Sequence, residues 1–128
     1  MRAQAGTAAN LRTLVSCLVV PYCEMLTTAE GRAYVRIVAQ LRGTFAAWRV
    51  QSDAATTKHM SSILNEIEGW GRGPEAVRRE RVVALIMLIT STTAERARLI
   101  DDGHMPELDA EEFVANLVTM CSAVQTAQ

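Results

Sequence analysis

Aromatic side chains are scarce in this chain, at 5%, and lysine is scarcer: of 13 basic residues only Lys58 is one. With so few rings, Leu, Val, Ile, Met and Ala must fill the interior, a palette that suits helix-on-helix packing better than a sandwich or barrel. An excess of one charge is also missing. The formal net charge is -1 and the arginines are scattered among acids, so no broad basic face is expected to grip a nucleic-acid backbone. No apolar stretch approaches the roughly 20 residues of a membrane-spanning helix, and the run Val82 to Ile89 has only eight. Three cysteines, Cys17, Cys23 and Cys121, are too few for a secreted disulfide framework. The leading stretch MRAQAGTAANLRTLVSC has little charge at its front and a polar segment before its apolar one, unlike a signal peptide. A reduced, cytoplasmic protein without membrane contact is expected.

What is present is a set of helical periods. The 128 residues, 49% of them hydrophobic, suffice for one domain with one core. Leu11, Leu14, Val15, Leu18, Val19, Tyr22 and Leu26 recur at three- and four-residue steps, predicting a helix from about Ala8 to Leu26. Pro21 should kink it or split it. Thr27 and Glu30 have capping-box spacing for a second helix, Ala29 to about Leu41, with Ala33, Tyr34, Ile37, Val38 and Leu41 as its apolar positions. After Gly43 and TFAAWRVQ, Ser52 or Asp53 can cap a third long segment, whose Met60, Ile63, Leu64, Ile67 and Trp70 lie on one face. GWGRGP ends it, and Pro74 opens a helix running to about Asp102 with Gly103 as its left-handed cap. Asp109 and Glu112 again have capping-box spacing, and the last helix runs to about Thr126. The expected fold is an all-α orthogonal or antiparallel bundle of five to six helices, a single domain over residues 1–128.

The last two helices, about 74–102 and 109–126, carry more apolar surface than one neighbour would cover. Val82, Ile86 and Ile89 form one face, Val83, Met87 and Thr90 a second, and Leu85, Leu88 and Leu99 a third. On the final helix, Phe113, Leu117, Met120 and Val124 run beside Val114, Val118 and Cys121. Two such helices can meet their copies as a four-helix bundle across a twofold axis. A homodimer is expected, with Val83, Met87, Thr90, Phe113, Leu117, Met120 and Val124 in its interface. The competing reading is a monomeric bundle whose long helix is simply buried.

GRAYVRIVAQL, then RRERVVALIMLITSTTAERARLIDDG, then LDAEEFVANLVTMCSA, together resemble the C-terminal domain of TetR/AcrR-family transcriptional regulators, over roughly Leu11 to Ala123. The resemblance rests on helix order, helix length and these stretches. It implies an all-α effector-binding and dimerisation domain in which the last two helices pair with a second subunit and the preceding helices enclose a ligand cavity. A complete member begins with a three-helix DNA-binding unit containing a helix-turn-helix, and nothing in this sequence resembles one. No direct nucleic-acid contact by this chain is therefore expected.

No reaction is legible. His59 and His104 lie in different segments without HExxH or CxxC spacing, which a zinc site would show. No GxSxG elbow marks an activated serine, and GWGRGP follows a helix and lacks the P-loop lysine. The chain is not expected to be an enzyme or to need a cofactor. The expected site is an apolar cavity for a small hydrophobic effector, lined by Phe45, Trp48, Met60, Leu64 and Met87, where methionine accommodates varied shapes and Trp48 adds a flat face and an N–H donor. Tyr34 and Gln40 could orient a ligand. The run Thr90 to Thr93 can bond back to carbonyls one turn earlier. The alternative function is a ligand-free helical dimerisation module.

Overall fold

A computed structural model describes residues 2–41 and 54–127, with side-chain surroundings for 10–41 and 62–127. The described residues form an all-helical structure without strands: α1 (Arg2–Glu24), a short 3-10 turn (Met25–Thr27), α2 (Ala29–Leu41), α3 (Ala54–Trp70), α4 (Glu75–Asp101) and α5 (Ala110–Thr126). Pro21 sits inside α1 and does not split it. The proline forfeits only the bond it would donate to the Cys17 carbonyl. The helix ends three residues later, where the chain tightens into the 3-10 turn.

Leu11, Val15, Val19 and Cys23, at four-residue steps, are the buried edge of α1, and Leu26 continues it through the turn. They meet Val35 of α2, Ile67 of α3, Leu85, Ile89 and Ala97 of α4, and Leu117, Val118 and Cys121 of α5 in one core. α4 is the centre of the arrangement, flanked by α2, α3 and α5, while α1 packs on α3 and α5. α4 and α5 run antiparallel: Arg81 near the start of α4 donates from Nη1 to the Ala127 carbonyl beyond the end of α5 (2.7 Å). At the other end, the Arg96 guanidinium of α4 lies 4.6 Å over the Phe113 ring of α5. Gln125, fully buried, donates from Nε2 to the Arg81 carbonyl (2.9 Å) and ties the same end.

The cap of α2 is displaced by one residue from its sequence expectation. Thr28 Oγ1, not Thr27, accepts the Gly31 amide (2.9 Å), and the Thr27 hydroxyl donates back to the Glu24 carbonyl (2.9 Å). The apolar face of α2 is displaced as well. Of the expected apolar positions Val38 is buried, together with Val35, whereas Tyr34 (46% exposed), Ile37 (54%) and Leu41 point out. The reason is Gly31. A Cβ there would lie 1.9 Å from the Met25 carbonyl oxygen, so α2 must seat with Gly31 against the turn, and Val35 and Val38 follow at four- and three-residue steps on the same face.

The charged anchor of α2 is Asp101, the last residue of α4. Arg32 Nε reaches its Oδ1 at 2.7 Å and Arg36 Nη1 its Oδ2 at 3.0 Å, while Arg32 Nη1 also donates to the Leu26 carbonyl (2.9 Å). A carboxylate at a helix C-terminus opposes the helix dipole, and the two guanidiniums, Arg32 foremost, hold the Asp101 carboxyl below its ordinary value of 3.8. Because the folded value is depressed, this contribution is present above the ordinary aspartate range and is lost as pH falls through the folded value. Asp101→Asn should therefore lower the melting temperature at pH 7. At pH values below the folded value of the carboxyl, variant and wild type should converge; an equal gap at both pH values would show that the ion pairs contribute nothing.

The ends of α4 and α5 match their sequence signals. Gly103 (φ +82°) follows α4, its amide bonding the Ile100 carbonyl and the His104 amide that of Leu99 (3.0 and 2.9 Å), the paired bonds of a Schellman motif. At α5 the capping box is complete, with Glu112 N to Asp109 Oδ1 at 2.8 Å and Asp109 N to Glu112 Oε1 at 2.9 Å.

Candidate functional site

Two features of the bundle are not explained by packing alone. The first is on its surface. A solvated helix face ordinarily carries charge along its length, yet α4 has no charged residue from Val82 to Ala94 and α5 none from Phe113 to its end. In the outer face of α4 the apolar side chains Val83 (49% exposed) and Met87 (47%) stand one turn apart, with Ala84 beside them exposed. From Phe113 onward the exposed positions of α5, Ala115, Asn116, Thr119, Ala123 and Thr126, are small and uncharged. Arg12 of α1 reaches Thr119 Oγ1 through Nη1 at 3.3 Å.

The structure divides the residues expected in a dimer interface. Val83 and Met87 are on the outer face. Thr90 and Leu117 are buried within the chain, Leu117 at 1% exposure, and Phe113, Met120 and Val124 are half-buried. Both apolar stripes of α5 are used inside the subunit, because α1 and α3 cover the flanks that α4 leaves open. Part of the apparent surplus on α5 is thus covered by its own chain, with Phe113, Met120 and Val124 covered in part.

Of the residues expected to line a ligand cavity, Phe45 and Trp48 lie outside the described residues. Met60 belongs to α3, with its side chain outside them too. Leu64 is half-buried. Met87, exposed on the outer face of α4, does not line the interior. Tyr34 and Gln40 are both exposed.

The second feature is inside. The Tyr22 hydroxyl of α1 is buried, and burial foremost pushes its pKa up. Thr93 of α4, Tyr34 of α2 and Cys23 are its polar surroundings. Thr93 is fully buried and directs its own hydroxyl hydrogen at the Ile89 carbonyl (2.7 Å), so its oxygen remains as a hydrogen-bonding neighbour of the Tyr22 hydroxyl. Thr90 and Thr92 bond back in the same way, to Ile86 (2.9 Å) and Leu88 (2.6 Å), as their position in a buried helix predicts. Burial also raises the thiols of Cys23 and Cys121, to about 11 and about 12. Protonated and enclosed, these two are poor nucleophiles, whereas Cys17 is exposed. Sequence periodicity placed Tyr22 only as one member of an apolar stripe; nothing in the spacing distinguishes a satisfied hydroxyl from an orphaned one.

Among the described residues no three His, Cys, Asp or Glu side chains are grouped so that they could hold a metal ion, and no helix is long and apolar enough to cross a membrane. Compared with protein-family models, with curated proteins and with solved structures, the chain matches none.

Proposed function

We propose that this chain is the effector-sensing and dimerisation domain of a TetR-like transcriptional repressor. The observation that supports the reading best is the antiparallel α4–α5 hairpin with its uncharged outer faces, on which Val83 and Met87 stand half-exposed. Two copies brought together on these faces form a four-helix arrangement about a twofold axis. A small hydrophobic molecule taken up among the remaining helices shifts the population between two placements of those helices. In an assembled regulator that shift changes the separation of two DNA-reading units, and half-sites one helical turn apart tolerate little change. DNA reading itself belongs to a unit other than the helices described.

A ligand-free dimerisation module is the second reading. It is favoured by the packing at the bundle centre, where Val15, Val19, Ile67 and Leu85 are fully buried.

Sedimentation equilibrium at micromolar concentration tests the assembly. The wild type should have twice the chain mass of 14.0 kDa, and Met87→Glu, which puts a charge on the shared face, should have the mass of one chain with its helical content unchanged. A folded wild-type monomer would overturn the dimeric reading.

A further inference from the structure

We infer that Met87 makes the assembly of this chain sensitive to oxidants: hydrogen peroxide converts its thioether to the sulfoxide, and chains carrying the sulfoxide no longer pair. The inference rests on the dimerisation reading and adds the regulation of that same face.

The sulfur stands where a small oxidant reaches it. Met87 is half-exposed in the charge-free stretch of α4, one turn after the half-exposed Val83. A thioether has no proton to lose, so its oxidation follows exposure. Among the other described methionines, Met25 and Met120 are half-buried. Met105 is 92% exposed but stands in the connection between α4 and α5, on neither helix. Two of the three thiols compete poorly. Burial pushes Cys23 and Cys121 up to about 11 and about 12, and a protonated thiol is the unreactive form. Cys17 is exposed, but on α1.

The step is a two-electron oxygen transfer. A sulfur lone pair attacks one peroxide oxygen, and the S–O bond forms as the O–O bond breaks. The departing oxygen takes the proton of the transferred one and leaves as water; sulfur is oxidised and the peroxide reduced. A flexible apolar side chain thereby becomes a polar one. On a free chain the new oxygen is hydrated, whereas pairing would bury it. No charged residue lies from Val82 to Ala94 of α4 to offset its dipole. Burying a polar group without a partner weakens association roughly tenfold or more. A twofold axis repeats that loss in the second copy, so pairing should weaken about a hundredfold. The peroxide acts on the free chains of the equilibrium and holds them apart.

The test is sedimentation over a concentration series, before and after hydrogen peroxide, with peptide mass spectrometry locating the added oxygens. A Cys17→Ser background removes the exposed thiol. The untreated chain should be dimeric. Peroxide should oxidise Met105 and Met87 and raise the dissociation constant about a hundredfold with helical content unchanged, and methionine sulfoxide reductase should reverse the change. Met87→Leu, apolar and close in volume, should keep its dissociation constant in peroxide although Met105 is oxidised. An unchanged constant with Met87 oxidised would overturn the inference, as would a Met87 that stays unoxidised beside an oxidised Met105. Dissociation of Met87→Leu by peroxide would assign the effect to another sulfur and overturn it too. In those three outcomes the dimeric reading stands. An untreated chain that sediments as a monomer would remove both.

Discussion

Gly31→Ala is expected to destabilise the domain by about 3 kcal/mol or more, at the upper end of what an added methyl group costs a packed core. The new Cβ would stand 1.9 Å from the Met25 carbonyl oxygen, 2.7 Å from its carbon and 3.0 Å from its Cα. All three are backbone atoms, so no rotamer change can make room. Either the 3-10 turn opens or α2 lifts away. If α2 lifts, the Thr28 cap, the Arg32 bond to the Leu26 carbonyl and the ion pairs to Asp101 are strained together. Against a typical domain stability of about 5–15 kcal/mol, the urea midpoint should fall far below that of the wild type. Gly69→Ala is the control. Nothing lies within 4 Å of a Cβ at that position, which is inside α3, so alanine should stabilise by about 0.5–1 kcal/mol through its better helix propensity. If both variants unfold at the wild-type midpoint, α2 does not approach the turn as closely as described.

Leu117→Glu should be equally damaging, and for a different reason from Met87→Glu. By sequence the two leucine and methionine positions read alike, as apolar residues of one interface. In the fold Leu117 is 1% exposed, enclosed by its own chain, and Met87 is 47% exposed. Phe113 to the end of α5 offers no cation to a carboxylate at Leu117, Arg96 and Arg12 are engaged with Phe113 and Thr119, and Leu117 belongs to the same apolar core as Leu85, Ile89 and the α1 stripe. A buried charge without a partner costs several kcal/mol, so Leu117→Glu should be largely unfolded by circular dichroism at 25 °C. Met87→Glu should keep its helicity and its melting temperature as a monomer, because exposed substitutions usually change stability by less than about 0.5 kcal/mol. A folded Leu117→Glu protein with a wild-type melting curve would show that α1 and α4 do not seal that side chain.

The contrast marks where reading the sequence succeeds and where it stops. The bounds of α2 and α5 and the stop at Gly103 followed from signals that act within about four residues: the Asp109–Glu112 box, the positive φ of Gly103, the breaker GWGRGP. So did the back-bonding of Thr90, Thr92 and Thr93, whose hydroxyls need only the preceding turn. The cap of α2 was misplaced by one residue because Thr27 and Thr28 are adjacent and offer the same hydroxyl. Only the tightening of the 3-10 turn turns the first back to Glu24 and leaves the second facing α2.

The faces of the helices were less legible, because periodicity says that a helix has an apolar side but not which neighbour will meet it. On α2 the expected stripe Tyr34–Ile37–Val38–Leu41 and the pair Val35–Val38 share Val38, and the backbone contact at Gly31 selects the pair. On α5 two stripes looked like a surplus until α1 and α3 were placed over them. The setting of the Tyr22 hydroxyl was invisible for the same reason: whether a phenol finds a partner depends on side chains 12 and 71 positions away, Tyr34 and Thr93. Helix order and the termini of α2, α4 and α5 are thus properties of this chain's local chemistry, whereas α1 starts at Arg2, six residues before its apolar period would place it. Which sides of those helices are covered, which remain open, and which polar groups go unpaired follow from the way distant segments meet, where one backbone contact of a glycine can rotate a whole helix.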